Sequence, residues 1–199
     1  FVFLQAHYRS PLDYSDQNLK EAQSGLARIY EAMAVMKQAV LASGEIEKTP
    51  IPASAEEMNE KAGSLETRFR DAMDDDFNTA QAIGIIFDLV RTMNRFIAEG
   101  GADYSGGRKL LQLAGEAIRS TGSVLGLFSS SPEEWLAFRD SEKNSRLEIT
   151  PEEVEKLITE RAEARKAKNF ARGEEIRDFL LSRGIQILYS PKGTTWKAK

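Results

Sequence analysis

Apolar residues recur along this chain at three- and four-residue steps, the spacing of one buried helix face. Leu19, Ala22, Leu26, Ile29, Met33, Met36 and Val40 form the first stripe and predict a helix from Ser15 to about Ser43. Ser15 can cap the orphan N–H groups, and Asp16 stands at the positive end of the helix dipole. Ser43-Gly44 stops this helix, and Pro50 and Pro52 mark the loop that follows. Met58, Ala62, Leu65, Phe69 and Met73 predict a second helix from about Ala55 to Met73, broken by Asp74-Asp75-Asp76. A third starts near Asn78, where Asn78 and Gln81 fit a capping box, and ends at Gly100-Gly101. A fourth spans roughly Arg108 to Leu125, with Leu110, Leu111, Ala114 and Ile118 on its stripe. Four amphipathic helices with short connections read as an antiparallel bundle.

The pattern then changes. Ser129-Ser130-Ser131-Pro132 is a breaker, and Ser131 with Glu134 is a capping box opening a short helix with Trp135, Leu136 and Phe138. The polar stretch Asp140 to Arg146 reads as linker. Thr150-Pro151-Glu152-Glu153 repeats the start signal and opens a helix to about Lys168. Asn169 can cap another from Phe170 to Arg183, stopped by Gly184. Ile185 to Leu188 alternates as a strand, Ser190-Pro191-Lys192-Gly193 is a turn, and Thr194 to Lys197 is a return strand. The expected fold is therefore mainly α: an antiparallel helical bundle followed by a small α+β unit, helix–helix–β-hairpin. Its divisions fall at 1–14 (a connection), 15–128 (the bundle), 129–149 (a linker with a short helix) and 150–199 (the small unit). About fifty residues make a marginal core, so the small unit is expected to dock on the bundle.

Composition narrows the chemistry. Of 199 residues 41% are apolar, enough for a core, and none is cysteine. That removes disulfides, thiolate zinc sites and a cysteine nucleophile together. No apolar run approaches the ~20 residues of a membrane span, so no membrane partner is expected. The first residues lack a basic signal-peptide region and an initiator Met, so the chain is expected to begin inside a longer protein. His7 is the only histidine and has no second His or Cys to work with, which favours a packed structural role. Asp74, Asp75 and Asp76 are adjacent and do not converge on one ion, so helix-end and N-cap roles are expected and no metal site. The Gly100-Gly101 and Gly106-Gly107 pairs lack the preceding strand and the spacing of a nucleotide fingerprint.

Charge is distributed unevenly. Thr150 to Lys199 holds eleven Lys/Arg against eight Asp/Glu, a net of +3 within a chain whose net charge is −4. The tail also interleaves cations with rings: Arg165, Lys166, Lys168, Phe170, Arg172, Tyr189, Lys192 and Trp196. Cations that hold phosphates beside rings that stack on bases suit single-stranded RNA, and DNA is not an expected partner. On composition alone the run from Arg161 to Arg172 is a solvated helix face, and Phe170 is either a core residue or a stacking platform. Trp196 reads as a packing anchor, because its register favours an inward face. An acidic, Met-rich bundle also fits a helical protein-interaction module with no RNA role.

Five segments in series resemble bacterial-type cysteinyl-tRNA synthetases: His7-Tyr8-Arg9-Ser10-Pro11-Leu12 with Tyr14-Ser15, Phe69 to Thr79, Ala164 to Lys168, Ile176-Arg177-Asp178, and Gly193-Thr194-Thr195-Trp196. Together they cover essentially the whole chain. The resemblance implies the C-terminal part of such an enzyme. Its catalytic domain, expected in cis, would carry the zinc that selects cysteine and the ATP and Mg chemistry that forms cysteinyl-adenylate. No cofactor is expected in the present residues. The implied task is to hold the tRNA for cysteine in the cytoplasm, with the bundle on the anticodon-stem side and the tail as anticodon-binding domain. Anticodon contacts would fall on Arg165, on Phe170 as a stacking ring, on Glu174 where the family commonly has Asp, and on Tyr189 where Asp is also common. Lys166, Lys168, Arg172 and Lys192 would meet phosphates. Gly173 stands where Ala is usual and loosens its helix by ~1 kcal/mol at most. A relative that ligates cysteine to a small amine would lack the tail, and residues 150–199 argue against it.

Overall fold

The computed structural model describes residues 1–12, 14–42, 50–145, 149–190 and 193–198. Seven α-helices and one hairpin appear among them. They are α1 (Asp16–Leu41), α2 (Ala55–Asp74), α3 (Thr79–Ala98), α4 (Gly107–Val124), α5 (Pro132–Ser145), α6 (Pro151–Lys166), α7 (Phe170–Ser182), β1 (Ile185–Ser190) and β2 (Gly193–Ala198). The expected stop of α1 at Ser43-Gly44 lies outside the described residues. The chain divides into two compact units, Phe1–Leu136 and Ala137–Lys199, and the division falls within α5. That helix continues past the expected short segment. Nothing between Asp140 and Ser145 is Gly or Pro, so no breaker ends it where polarity alone suggested a linker.

In the first unit α1 to α4 turn their stripes inward. Ile29, Met33, Met58, Leu65, Ile86 and Phe96 are essentially fully buried. Ser15 caps α1 by accepting from the Asn18 amide, and Asn78 caps α3 by accepting from the Gln81 amide. Gln81 answers to the Asn78 side-chain amide, not to its backbone. Ser131 and Glu134 form the expected reciprocal box at α5, whose Trp135 stacks on Tyr30 at 4.4 Å between ring centroids. The α3–α4 connection is unusually close. A methyl group on Gly107 would sit 1.7 Å from the Gly101 carbonyl oxygen, so only glycine fits there.

Asp76 has a role the sequence did not show. It accepts from the Tyr8 hydroxyl at 2.8 Å and pairs with Arg9 at 3.1 Å, tying the N-terminal segment to the α2–α3 turn. Asp74 and Asp75 stand at the end of α2 as expected, the N-cap of α3 is Asn78 as expected, and Asp76, instead of capping, is a long-range anchor. Asp76 and Phe77 both have left-handed backbone angles, φ 54° and 53°. His7 is half-buried and stacks on Tyr8, and its Nδ1 accepts from the Arg9 amide, as a structural histidine should.

Between α2 and α3 lies a charged seam. Lys61 Nζ sits 2.8 Å from both Glu57 and Asp88 and 3.2 Å from the hydroxyl of buried Thr92. Burial alone would lower the Lys61 pKa, but hydrogen bonds and attraction from Asp88 and Glu57 outweigh it and raise it. Lys61 likewise holds the carboxyls of Glu57 and Asp88 below their usual range.

Lowered carboxylate pKa values place this stability above an unfolded value of ~4 and remove it as pH falls through the lower folded values. Thermal unfolding followed by circular dichroism from about pH 6 to about pH 2.5 should show Tm dropping once pH passes ~4. Asp88→Asn should lower Tm at neutral pH and flatten that drop; parallel curves for both proteins would remove the seam from the account.

Candidate nucleic-acid interface

The second unit is built on a small core. Val154 and Ile158 of α6, Ile176 and Leu180 of α7, and Ile185 of β1 are buried together. The antiparallel hairpin pairs Ile185 with Ala198, Ile187 with Trp196 and Tyr189 with Thr194, so these six side chains share one face. Trp196 packs against the core, and its Nε1 donates to Glu155 on α6 at 2.7 Å. The anchor role read from its register holds. Thr150 and Glu153 form a full capping box at the start of α6.

The turn from α6 to α7 carries the basic cluster. Asn169 donates to the Ala164 carbonyl and Lys168 to that of Arg165, the paired bonds that close a helix through a left-handed residue. Gly100, Gly126 and Gly184 occupy the left-handed position after α3, α4 and α7. After α6 the residue is Lys168, with φ 61°. A lysine there carries a Cβ into a conformation that costs a non-glycine residue roughly 1–2 kcal/mol. Asn169 then caps α7 by accepting from the Arg172 amide.

The candidate residues divide by how freely they present themselves. Arg165, Lys166 and Lys168 are exposed, and among the described residues they make no ion pair. Phe170, the first residue of α7, is 58% exposed, which resolves its two readings in favour of an open ring. Tyr189 is likewise open, on β1. Glu174 lies one helical turn after Phe170, and its carboxylate is paired with Arg177. Arg177 also holds Asp178 at 2.8 Å; Asp178 first, then Glu174, raises its pKa. Arg172 is already committed. It bridges Glu160 on α6 and Glu175 on α7, each at 2.8 Å, and Glu175 first, then Glu160, raises its pKa. A phosphate reaching Arg172 would compete with two carboxylates. Lys192 lies outside the described residues.

Two features were not legible as site components. Arg161, read as part of a solvated face, is 5% exposed, and its Nε donates to the Gly173 carbonyl at 3.1 Å. The signal was present in its spacing, three residues after Ile158 and seven after Val154, on the buried stripe. Gly173 is also buried beneath Arg165: a methyl group there would come within 3.2 Å of the Arg165 Cγ. Its smallness lets the Arg165 stem lie flat on α7. Among the described residues no cluster of three or more His, Asp or Glu could hold a metal ion.

The chain matches the family model of the DALR domain over residues 68–129 and that of the cysteinyl-tRNA ligase anticodon binding domain over residues 149–196. Cysteine–tRNA ligase of Trichlorobacter lovleyi is 58% identical over 201 residues, covering all of this chain and 40% of the relative. The proteins of that name from Geobacter sulfurreducens and Pelobacter propionicus are 54% and 49% identical, again over the whole chain. The chain thus spans about 40% of the length of the curated relatives it matches.

Lys168→Gly should raise the unfolding free energy of the second unit by about 0.5–1 kcal/mol, relief of left-handed strain outweighing the added freedom of the unfolded chain. Urea unfolding monitored by circular dichroism reads the change in midpoint. A lower midpoint would mean that the Lys168 side chain itself holds the turn.

Proposed function

The chain belongs to the cysteine–tRNA ligase family, and on that premise we propose that it grips the tRNA for cysteine and reads its anticodon. The observation that carries this reading is the uncommitted basic cluster Arg165, Lys166 and Lys168 beside the open ring of Phe170. Arg165, its stem laid on Gly173, presents a planar fork suited to the two acceptors of a guanine edge. Phe170 offers a face to a splayed base, and Lys166 and Lys168 neutralise the phosphates that flank it. Glu174 can accept from a base amino group while Arg177 holds it in place. Arg172 and Lys192 are further phosphate contacts in this reading. The first unit would meet the anticodon stem.

In the whole protein the reaction would be the joining of cysteine to its tRNA through a cysteinyl-adenylate made from ATP, in the cytoplasm. The residues present here do not fit the zinc of that reaction: there is no cysteine, and the single histidine is held in the Tyr8–Asp76 cluster. No chemical step is assigned to them.

Filter binding should show preference for tRNA with a GCA anticodon over the same tRNA with the anticodon exchanged. Arg165→Ala should cost about 1–3 kcal/mol and blur that preference. Lys168→Gly should weaken binding to both tRNAs alike and make the salt dependence shallower by about one counterion. Equal affinity of the unaltered chain for both tRNAs would defeat anticodon reading. Binding to neither would return the chain to the protein-interaction reading.

A further inference from the structure

A guanidinium keeps its charge at any ordinary pH, and burial without a carboxylate is costly. Arg161 is nevertheless 5% exposed, and among the described residues it makes no ion pair. Two groups receive it. Its Nε donates to the Gly173 carbonyl at 3.1 Å, and its Cζ lies 5.4 Å from the centroid of the Tyr189 ring. A cation at that distance over a ring is attracted to the negative π face. Tyr189 follows Ile185 and Ile187 on the inward face of β1, but it reaches beyond the core and remains 63% exposed. One ring face is therefore held by Arg161 while the ring stays widely open to solvent.

We propose that Tyr189 is a stacking platform for a nucleobase of the anticodon loop and that the buried Arg161 is its positioning residue. This inference rests on the reading of the second unit as a tRNA binder. A carboxylate at this position would take Arg161 as its ion-pair partner and meet a base through its edge. A phenol cannot neutralise Arg161; it gives the cation a ring face to rest on and turns a second face outward. Edge reading distinguishes bases, whereas stacking accepts any of them, because each has a π surface. The Arg161 contact fixes the ring before RNA arrives, so less rotamer freedom is lost on binding. The consequence is specific: the base that meets Tyr189 should contribute strongly to affinity and weakly to selectivity.

The test uses the full chain and an anticodon stem–loop RNA carrying 2-aminopurine at each anticodon position in turn. Fluorescence should be quenched by stacking at one of the three. Tyr189→Phe should keep that quenching; Tyr189→Leu should lose it and weaken binding about tenfold. Exchanging the natural base at that position should change affinity by less than about threefold. Arg161→Gln retains a donor for the Gly173 carbonyl but no charge, and should weaken binding about threefold with partial loss of quenching. The NMR signal of the Arg161 Nε–H proton gives a readout that leaves Arg161 unaltered. It should move when Tyr189 becomes Leu, as a ring current is removed, and a fixed signal would break the link between the two residues. If the unaltered chain binds and prefers its anticodon but Tyr189→Leu keeps both affinity and quenching, the platform is overturned and the tRNA reading stands. If the unaltered chain binds no stem–loop at all, both fall together.

Discussion

The crossing of α6 and α7 is the contact on which the second unit's surface depends. There Arg161 reaches the Gly173 carbonyl while Arg165, one turn on, lies across the same residue. The core below is small, and each of its apolar side chains contributes only ~1.5–3 kcal/mol before entropy is subtracted. Such a unit has little reserve. The crossing is reinforced by Arg172, whose pair with Glu160 joins the two helices while its pair with Glu175 braces it along α7. Hydrogen bonds at the α6–α7 turn and the Trp196–Glu155 bond complete the frame. Within that frame the basic residues around the α6–α7 turn differ in commitment. Arg161 and Arg177 are held by internal contacts, Arg172 would have to exchange a carboxylate for a phosphate, and Arg165, Lys166 and Lys168 make no ion pair among the described residues.

The first unit solves a different problem. Its core is large, and its charges are arranged to hold helices against one another: Lys61 between Glu57 and Asp88, and Glu99 accepting from the amide and hydroxyl of Ser54 at the start of α2. The Ser54 side chain makes no cap bond to the first turn of α2; its hydroxyl, like its own backbone amide, donates to the carboxylate that follows α3. Attraction and repulsion of a polyanion thus belong to different parts of one chain. The acidic balance lies outside residues 150–199 and the basic excess within them.

What the sequence revealed, and what it hid, follows from the range of the interactions. Helix starts at Ser15, Asn78, Ser131, Thr150 and Asn169 were legible because a cap and its amide are three residues apart. The inward face of Trp196 was legible from strand alternation alone. The Asp76 anchor joins residues almost seventy positions apart, and no local pattern carries it. The left-handed Lys168 was hidden because that conformation is usually announced by glycine, as at Gly184. Burial of Arg161 was present in the helical spacing but masked by residue type, since an arginine on a stripe reads as solvent-facing. Candidate site residues came from resemblance; their freedom or commitment to internal ion pairs could come only from three-dimensional neighbours.

The chain holds two tryptophans, and the fold gives one to each unit. Trp135 lies flat on Tyr30 in the bundle, with 4° between the rings, while Trp196 is held by a carboxylate behind the hairpin. Stacked against a phenol and hydrogen-bonded to an acid, the two indoles occupy unlike surroundings. The molecule therefore contains two native optical labels, and replacing either one leaves emission that follows the other unit alone.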